Sequence, residues 1–223
     1  FIMLDTKEIE QKDFWEAKKA RRSPAHPSVE AFVKPKIDYI EKVLTDHNAG
    51  KSLSLLDVGA GNGYFSYYFE KIYQTVALDF SSQMLAINPC HNKVLGSANA
   101  LPFPDNSFDI VFCSNLLHHL PDPAIAIAEM KRVSRQYVVL SEPNRNNPLM
   151  FLFGLFKRIE KGSLKFSLRY LSDLLRNADL RILAATSLGT VLPNKTPPCL
   201  LAALKKFDSE SPIAFYHLLV ARK

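Results

Sequence analysis

Two features of this 223-residue chain carry residue types that could do chemistry. The first is Leu53-Ser54-Leu55-Leu56-Asp57-Val58-Gly59-Ala60-Gly61-Asn62-Gly63, an apolar run that ends in an acid and then in alternating glycines. About four to eight apolar residues closed by glycines predict a covered parallel strand running into a turn. Glycine lets such a turn take positive φ and approach a ligand with no Cβ in the way, so nucleotide binding is the chemistry expected. Tyr64 stands where a G-x-G-x-x-G fingerprint places its third glycine, which disfavours a dinucleotide pyrophosphate site. The second feature is the pair His118-His119, with Glu142 further along. An imidazole titrates near neutrality, so either histidine, or the carboxylate of Glu142, is a candidate to take a proton. His26, His47, His91 and His217 are scattered with no metal-ligand spacing, and no metal is expected.

Strands must hold these residues in one crevice. Thr75-Val76-Ala77-Leu78-Asp79 is a second apolar run ending in an acid, 16 residues after Gly63. Asp109 to Ser114 reads as a fourth strand, Tyr137 to Leu140 as a fifth, Leu180 to Ser187 as a sixth and Phe215 to Ala221 as a seventh. Helical patterns alternate with them: Tyr64 to Lys71, Pro123 to Arg135 with a basic end at Lys131 and Arg132, and Leu168 to Asn177. Upstream, residues 5 to 22 have helical spacing with Ile9, Phe14 and Trp15 apolar, two prolines break the pattern by Pro27, and a second helix is predicted from Val29 to about His47. Alternating strands and helices imply a mostly parallel sheet covered on both faces.

In order and content, residues 53 to 123 resemble class I S-adenosylmethionine (SAM) dependent methyltransferases of the small-molecule, methyltransferase domain 11-like type. The motifs are the Asp57 to Gly63 turn, the Asp79 strand end, the Gly96-Ser97-Ala98 segment leading to Phe108-Asp109, and the fourth strand followed by Asn115-Leu116-Leu117-His118-His119. The resemblance implies an α/β, Rossmann-like, seven-stranded sheet with helices on both faces and an antiparallel last strand. It implies SAM as cofactor, S-adenosylhomocysteine as product, and methyl transfer to a small-molecule acceptor of apolar or anionic character. By the same resemblance Gly59 and Gly61 face the methionine and ribose portions, Asp57 anchors the turn, Asp79 accepts from the ribose hydroxyls and Phe80 covers adenine. Ser97 and the backbone of Ala98 contact adenine, and Ser114 and Asn115 offer oxygen near the methionine part. The family segment commonly reads Gly-Asp-Ala, so Ser97 replaces a charge-assisted acceptor with a weaker hydroxyl. Asp79 also has an alternative role as the N-cap of a helix beginning near Ser81, and each histidine an alternative role as scaffold. A SAM-binding regulatory or partner subunit without its own transfer activity is the competing functional reading.

Residues 1 to 50 read as an N-terminal helical cap and 51 to 223 as the SAM-binding domain, one structural domain overall, with a substrate-binding insertion at 143 to 170. Phe14 and Trp15 are candidates to close the site. The insertion carries the longest apolar run, Leu149 to Phe156, far below the ~20 residues that span a bilayer. It can line an acceptor pocket, belong to the core, or act as an interfacial helix making weak membrane-surface contact, with Lys157, Arg158 and Lys161 behind it. Three widely spaced cysteines fit neither a disulfide framework nor a zinc site, and cytosol is the expected compartment. Of the net charge of +6, residues 151 to 223 hold an excess, with 12 Lys and Arg against 5 Asp and Glu. No basic run there is dense or aromatic-interleaved, so nucleic acid is not an expected partner.

Overall fold

The computed structural model describes residues 21–223 apart from positions 48, 51 and 208. Phe14 and Trp15 lie outside the described residues. Seven strands form one sheet: β1 (Ser54–Val58), β2 (Gln74–Asp79), β3 (Asn92–Leu95), β4 (Phe108–Ser114), β5 (Ser134–Pro143), β6 (Arg181–Leu188) and β7 (Tyr216–Arg222). Their order is β3-β2-β1-β4-β5-β7-β6, and β7 runs antiparallel between β5 and β6 while the other neighbours pair in parallel. This is the Rossmann-like, mostly parallel sheet with an antiparallel last strand that the sequence implied.

Period-two alternation explains how central strands can be apolar throughout. In β4, Ile110 and Phe112 face one layer of the core while Val111 and Cys113 face the other. Strand β5 repeats this with Tyr137 and Val139 against Val138 and Leu140. One face is covered by α1 (Pro27–Asp46) through Val29, Phe32, Val33, Ile37 and Ile40, and the opposite face by α4 (Pro123–Val133) and α6 (Leu168–Asn177). Three further helices are α2 (Ser66–Phe69), α3 (Ser82–Ile87) and α5 (Pro148–Phe156), with a short helix α7 (Leu201–Leu204) before β7.

Helix starts follow local chemistry. The Asp122 side chain accepts from Ala124 N–H ahead of Pro123, and Asn147 accepts from Met150 N–H ahead of Pro148. Both pair a polar N-cap with a proline at the first helical position, where a missing N–H costs nothing. Some boundaries differ from expectation. The helix expected over Tyr64 to Lys71 is a single α turn, and β3, which no pattern located, is a short and largely exposed edge strand. Strand β5 extends to Pro143 because Ser141, Glu142 and Pro143 pair with β7, so polar residues are carried into a fully buried strand end. The stretch from Leu149 to Lys165 divides into α5 and a 3-10 segment, Arg158–Lys165.

Candidate functional site

The winding of the sheet reverses between β1 and β4, and a cleft opens there beyond the C-terminal strand ends, where doubly wound sheets bind ligands. It is about 1170 Å³ in extent, part of it open to solvent.

The glycine turn forms its floor. Gly59 and Ala60 donate their N–H groups to Leu78 O at 2.8 and 2.9 Å, which stitches the turn to the β2 backbone. Gly61 adopts φ +52°, and a Cβ there would point into open space. The position therefore presents bare backbone to whatever fills the cleft. Its N–H donates to Asp79 Oδ2 at 2.7 Å, while the Ser81 N–H donates to Asp79 Oδ1 at 2.9 Å. Ser81 itself caps α3, through a bond from Met84 N–H to its hydroxyl, so Asp79 is not the N-cap that was its alternative reading.

Asp57 lies buried at the end of β1 and accepts from Ser66 Oγ at 2.6 Å, which fastens the strand end to α2. Burial, with the nearby Asp79 charge adding to it, pushes the Asp57 carboxyl up to about 7. Asp79 is also raised by burial, against the backbone N–H groups and the Arg21 guanidinium, which favour its ionised form. Two desolvated carboxyls on one cleft wall are held at a cost that a ligand bearing positive charge and hydroxyl donors would offset.

The β4 end supplies the facing wall. Asn115 takes φ +52°, a left-handed conformation that a non-glycine residue holds only when its surroundings fix it. Its N–H donates to Ser141 O at 2.8 Å and its side-chain amide donates to Ser114 Oγ at 3.1 Å. Phe80, Ser97 and Ala98 line the remaining side, and the Ser97 hydroxyl accepts from Asn99 N–H at 3.2 Å. All nine residues expected at the cofactor, Asp57, Gly59, Gly61, Asp79, Phe80, Ser97, Ala98, Ser114 and Asn115, thus border one cleft. Arg21, Tyr64 and Met84 border it as well. Sequence reasoning did not pick them out for the site, because none belongs to a motif with a spacing of its own.

The three base candidates separate. His119 faces the cleft. His118 and Glu142 do not: both are buried and bonded to each other, Nδ1 to Oε2 at 2.6 Å. Glu142 Oε1 also accepts the Leu116 and Leu117 N–H groups, each at 2.9 Å. On its other side the His118 ring donates from Nε2 to Glu160 at 3.2 Å. Although burial opposes charge, the two carboxylates prevail and raise His118 to about 9, so it is an imidazolium at neutral pH with no lone pair to accept a proton. Of the three residues expected to take a proton, only His119 borders the cleft, and His118 and Glu142 together hold the turn that carries it. His118, His119 and Glu160 bring possible metal-ligating atoms within 4.8 Å of one another, but the ion pairs of His118 already account for the geometry around it.

The strand order and the cleft at its switch point are those of the Rossmann-like methyltransferase fold. Residues 56–140 match the family model described as methyltransferase domain. Among curated relatives, a demethylmenaquinone methyltransferase of Renibacterium salmoninarum is 44% identical over 110 residues, covering 47% of this chain and 45% of that protein. A malonyl-[acyl-carrier protein] O-methyltransferase of Serratia marcescens is 33% identical over 118 residues, covering 51% and 46%. The chain thus spans less than half the length of these relatives. A SAM-dependent methyltransferase structure from Aquifex aeolicus superposes with a TM-score of 0.60 at 19% identity, covering 91% of this chain and 99% of that one, which establishes the shared fold.

Proposed function

We propose that this protein is an SAM-dependent methyltransferase acting on a small-molecule acceptor. The observation that carries the reading is the pairing of bare backbone at Gly61 with the two desolvated carboxyls of Asp57 and Asp79 in one cleft. SAM fits this donor set: it brings an ammonium and a sulfonium cation, two ribose hydroxyls and a flat base, and when bound it supplies an electrophilic methyl group. Asp79 is fixed by the Gly61 and Ser81 N–H groups, and each of its oxygens retains a lone pair for a ribose hydroxyl. Asp57 favours the ammonium, directly or through water. Phe80, Met84 and Leu116 give the base an apolar slot, and the Ser97 hydroxyl stands where the family commonly has a carboxylate.

In-line displacement needs alignment in a dry site more than it needs a base. Asn115, held left-handed, and the turn fixed by Glu142 provide a rigid wall for that alignment. Where the acceptor is a hydroxyl or an ammonium, His119 is the group positioned to take its proton. The three cysteines are free thiols, which is consistent with a cytosolic setting. The two relatives described above bear names with different acceptors, so their likeness to this chain does not select one. Incubation with methyl-labelled SAM and a panel of phenol, carboxylate and amine acceptors tests the proposal. Transfer to at least one class that is lost in Asp79→Ala supports it, whereas SAM binding without transfer to any class favours a binding subunit.

A further inference from the structure

Helix α5 is apolar on all sides. Met150 and Gly154 turn inward and are buried, yet Leu149, Leu152, Leu155 and Phe156 are exposed by 52, 48, 48 and 79%, and Phe151 also faces out. No polar residue interrupts Leu149 to Phe156. A water-exposed helix face is ordinarily polar, and contiguous apolar surface of this kind marks a place of interaction. Exposed Ile213 extends the patch, because its carbonyl accepts from the Asn147 side chain at the start of α5.

Charge selects the partner. Residues 143 to 170 contain six Lys and Arg and a single acid, Glu160. That acid is turned onto buried His118 and does not face outward with the patch. Lys157, Lys161 and Lys165 follow the helix and are exposed, and Lys195 reaches over Phe153 with its ammonium 4.7 Å from the ring centroid. An apolar face rimmed by cations of one sign matches an anionic lipid surface, whose acyl boundary takes the Leu and Phe side chains while its headgroups pair with the lysines. A second copy of this net-positive chain offers no such match.

We infer that α5 and its lysines dock the protein on anionic membranes. The segment is anchored by buried Met150, by the bond from Asn147 to Ile213 and by Gly162, which packs so closely against the His118 carbonyl that a Cβ would collide with it. The exposed α5 side chains and their lysines do not border the cleft.

Co-sedimentation with sucrose-loaded vesicles tests this, comparing pure phosphatidylcholine with an equimolar mixture of phosphatidylcholine and phosphatidylglycerol. The wild type should partition onto the mixed vesicles and much less onto the neutral ones, and added salt should weaken the binding. Phe156→Ala should lower the partition constant at least about tenfold and Lys157→Ala about fivefold, while both variants keep the wild-type unfolding temperature because both side chains are exposed. Equal partitioning of wild type and Phe156→Ala would overturn the proposal. So would absence of wild-type binding to either vesicle, or concentration-dependent self-association through the patch without vesicle binding. The assay requires no cofactor, and its outcome is independent of whether the cleft binds SAM.

Discussion

The cleft wall and α5, which follows the C-terminal end of β5, belong to the same end of the sheet and are built in opposite ways. At the cleft wall and just behind it polar groups are buried and tied down: Asp79 at the wall by two N–H groups, Asp57 there by a hydroxyl, and Glu142 behind it by two N–H groups and an imidazolium. On α5 apolar groups are exposed and tied to nothing on their outer side. The contrast teaches that this chain keeps its desolvation cost where a small ligand must be recognised and leaves its uncovered apolar area where a broad surface can be met. Single substitutions should consequently be severe in one region and mild in the other.

The largest effect is expected at Glu142. Glu142→Ala leaves a buried imidazolium short of one partner and strands the Leu116 and Leu117 N–H groups, and should cost about 3–5 kcal/mol in urea unfolding. Glu142→Gln keeps the two N–H bonds and should cost less. Next is the pH response of Asp57. Its folded pKa, about 7, lies above the ordinary 3.8, so the folded state holds its proton more tightly than the unfolded one. That contribution is present below about pH 4 and is lost as pH rises through about 7, a change on the order of 4 kcal/mol. Asp57→Asn should flatten this part of the stability profile of the ligand-free protein, and an unchanged slope would show that the cleft carboxyls are not coupled as described.

Much of this contrast was legible in the sequence. The cleft is specified by motifs with fixed spacing, because a strand end, a positive-φ turn and a helix start must follow one another within a few residues. The strand ends at Asp57, Asp79 and Ser114 could therefore be expected on one crevice before any coordinates, with Gly61 and Asn115 added by the family resemblance. Histidine roles were not legible, since the two buried rings lie with centroids 3.9 Å apart and only tertiary packing sets His118 against Glu142 and His119 against the cleft. The exposure of α5 was equally hidden: an apolar run reads alike whether it is core or surface, and only its packing distinguishes the two. β3 escaped notice because an exposed edge strand has little apolar alternation to show.

Smaller effects sharpen the comparison further. Gly61→Val forces a β-branched residue to φ +52° and pushes its methyls into the cleft, which should cost about 1–2 kcal/mol in stability and weaken S-adenosylhomocysteine binding measured by calorimetry. Leu152→Ser on α5 should change unfolding free energy by no more than about 0.5 kcal/mol, because the side chain is already half exposed. A large loss there would mean that the α5 face is packed and would erase the distinction between the two regions.

Thermal unfolding with and without SAM or S-adenosylhomocysteine, on the wild type and on Asp79→Ala, tests the central claim most directly. Ligand at about 100 times its dissociation constant should add ~2.7 kcal/mol, roughly 5–10 °C for a chain of this length, and the shift should vanish in Asp79→Ala. No shift in the wild type, or an equal shift in both proteins, would contradict the assignment of this cleft and of Asp79 to the cofactor.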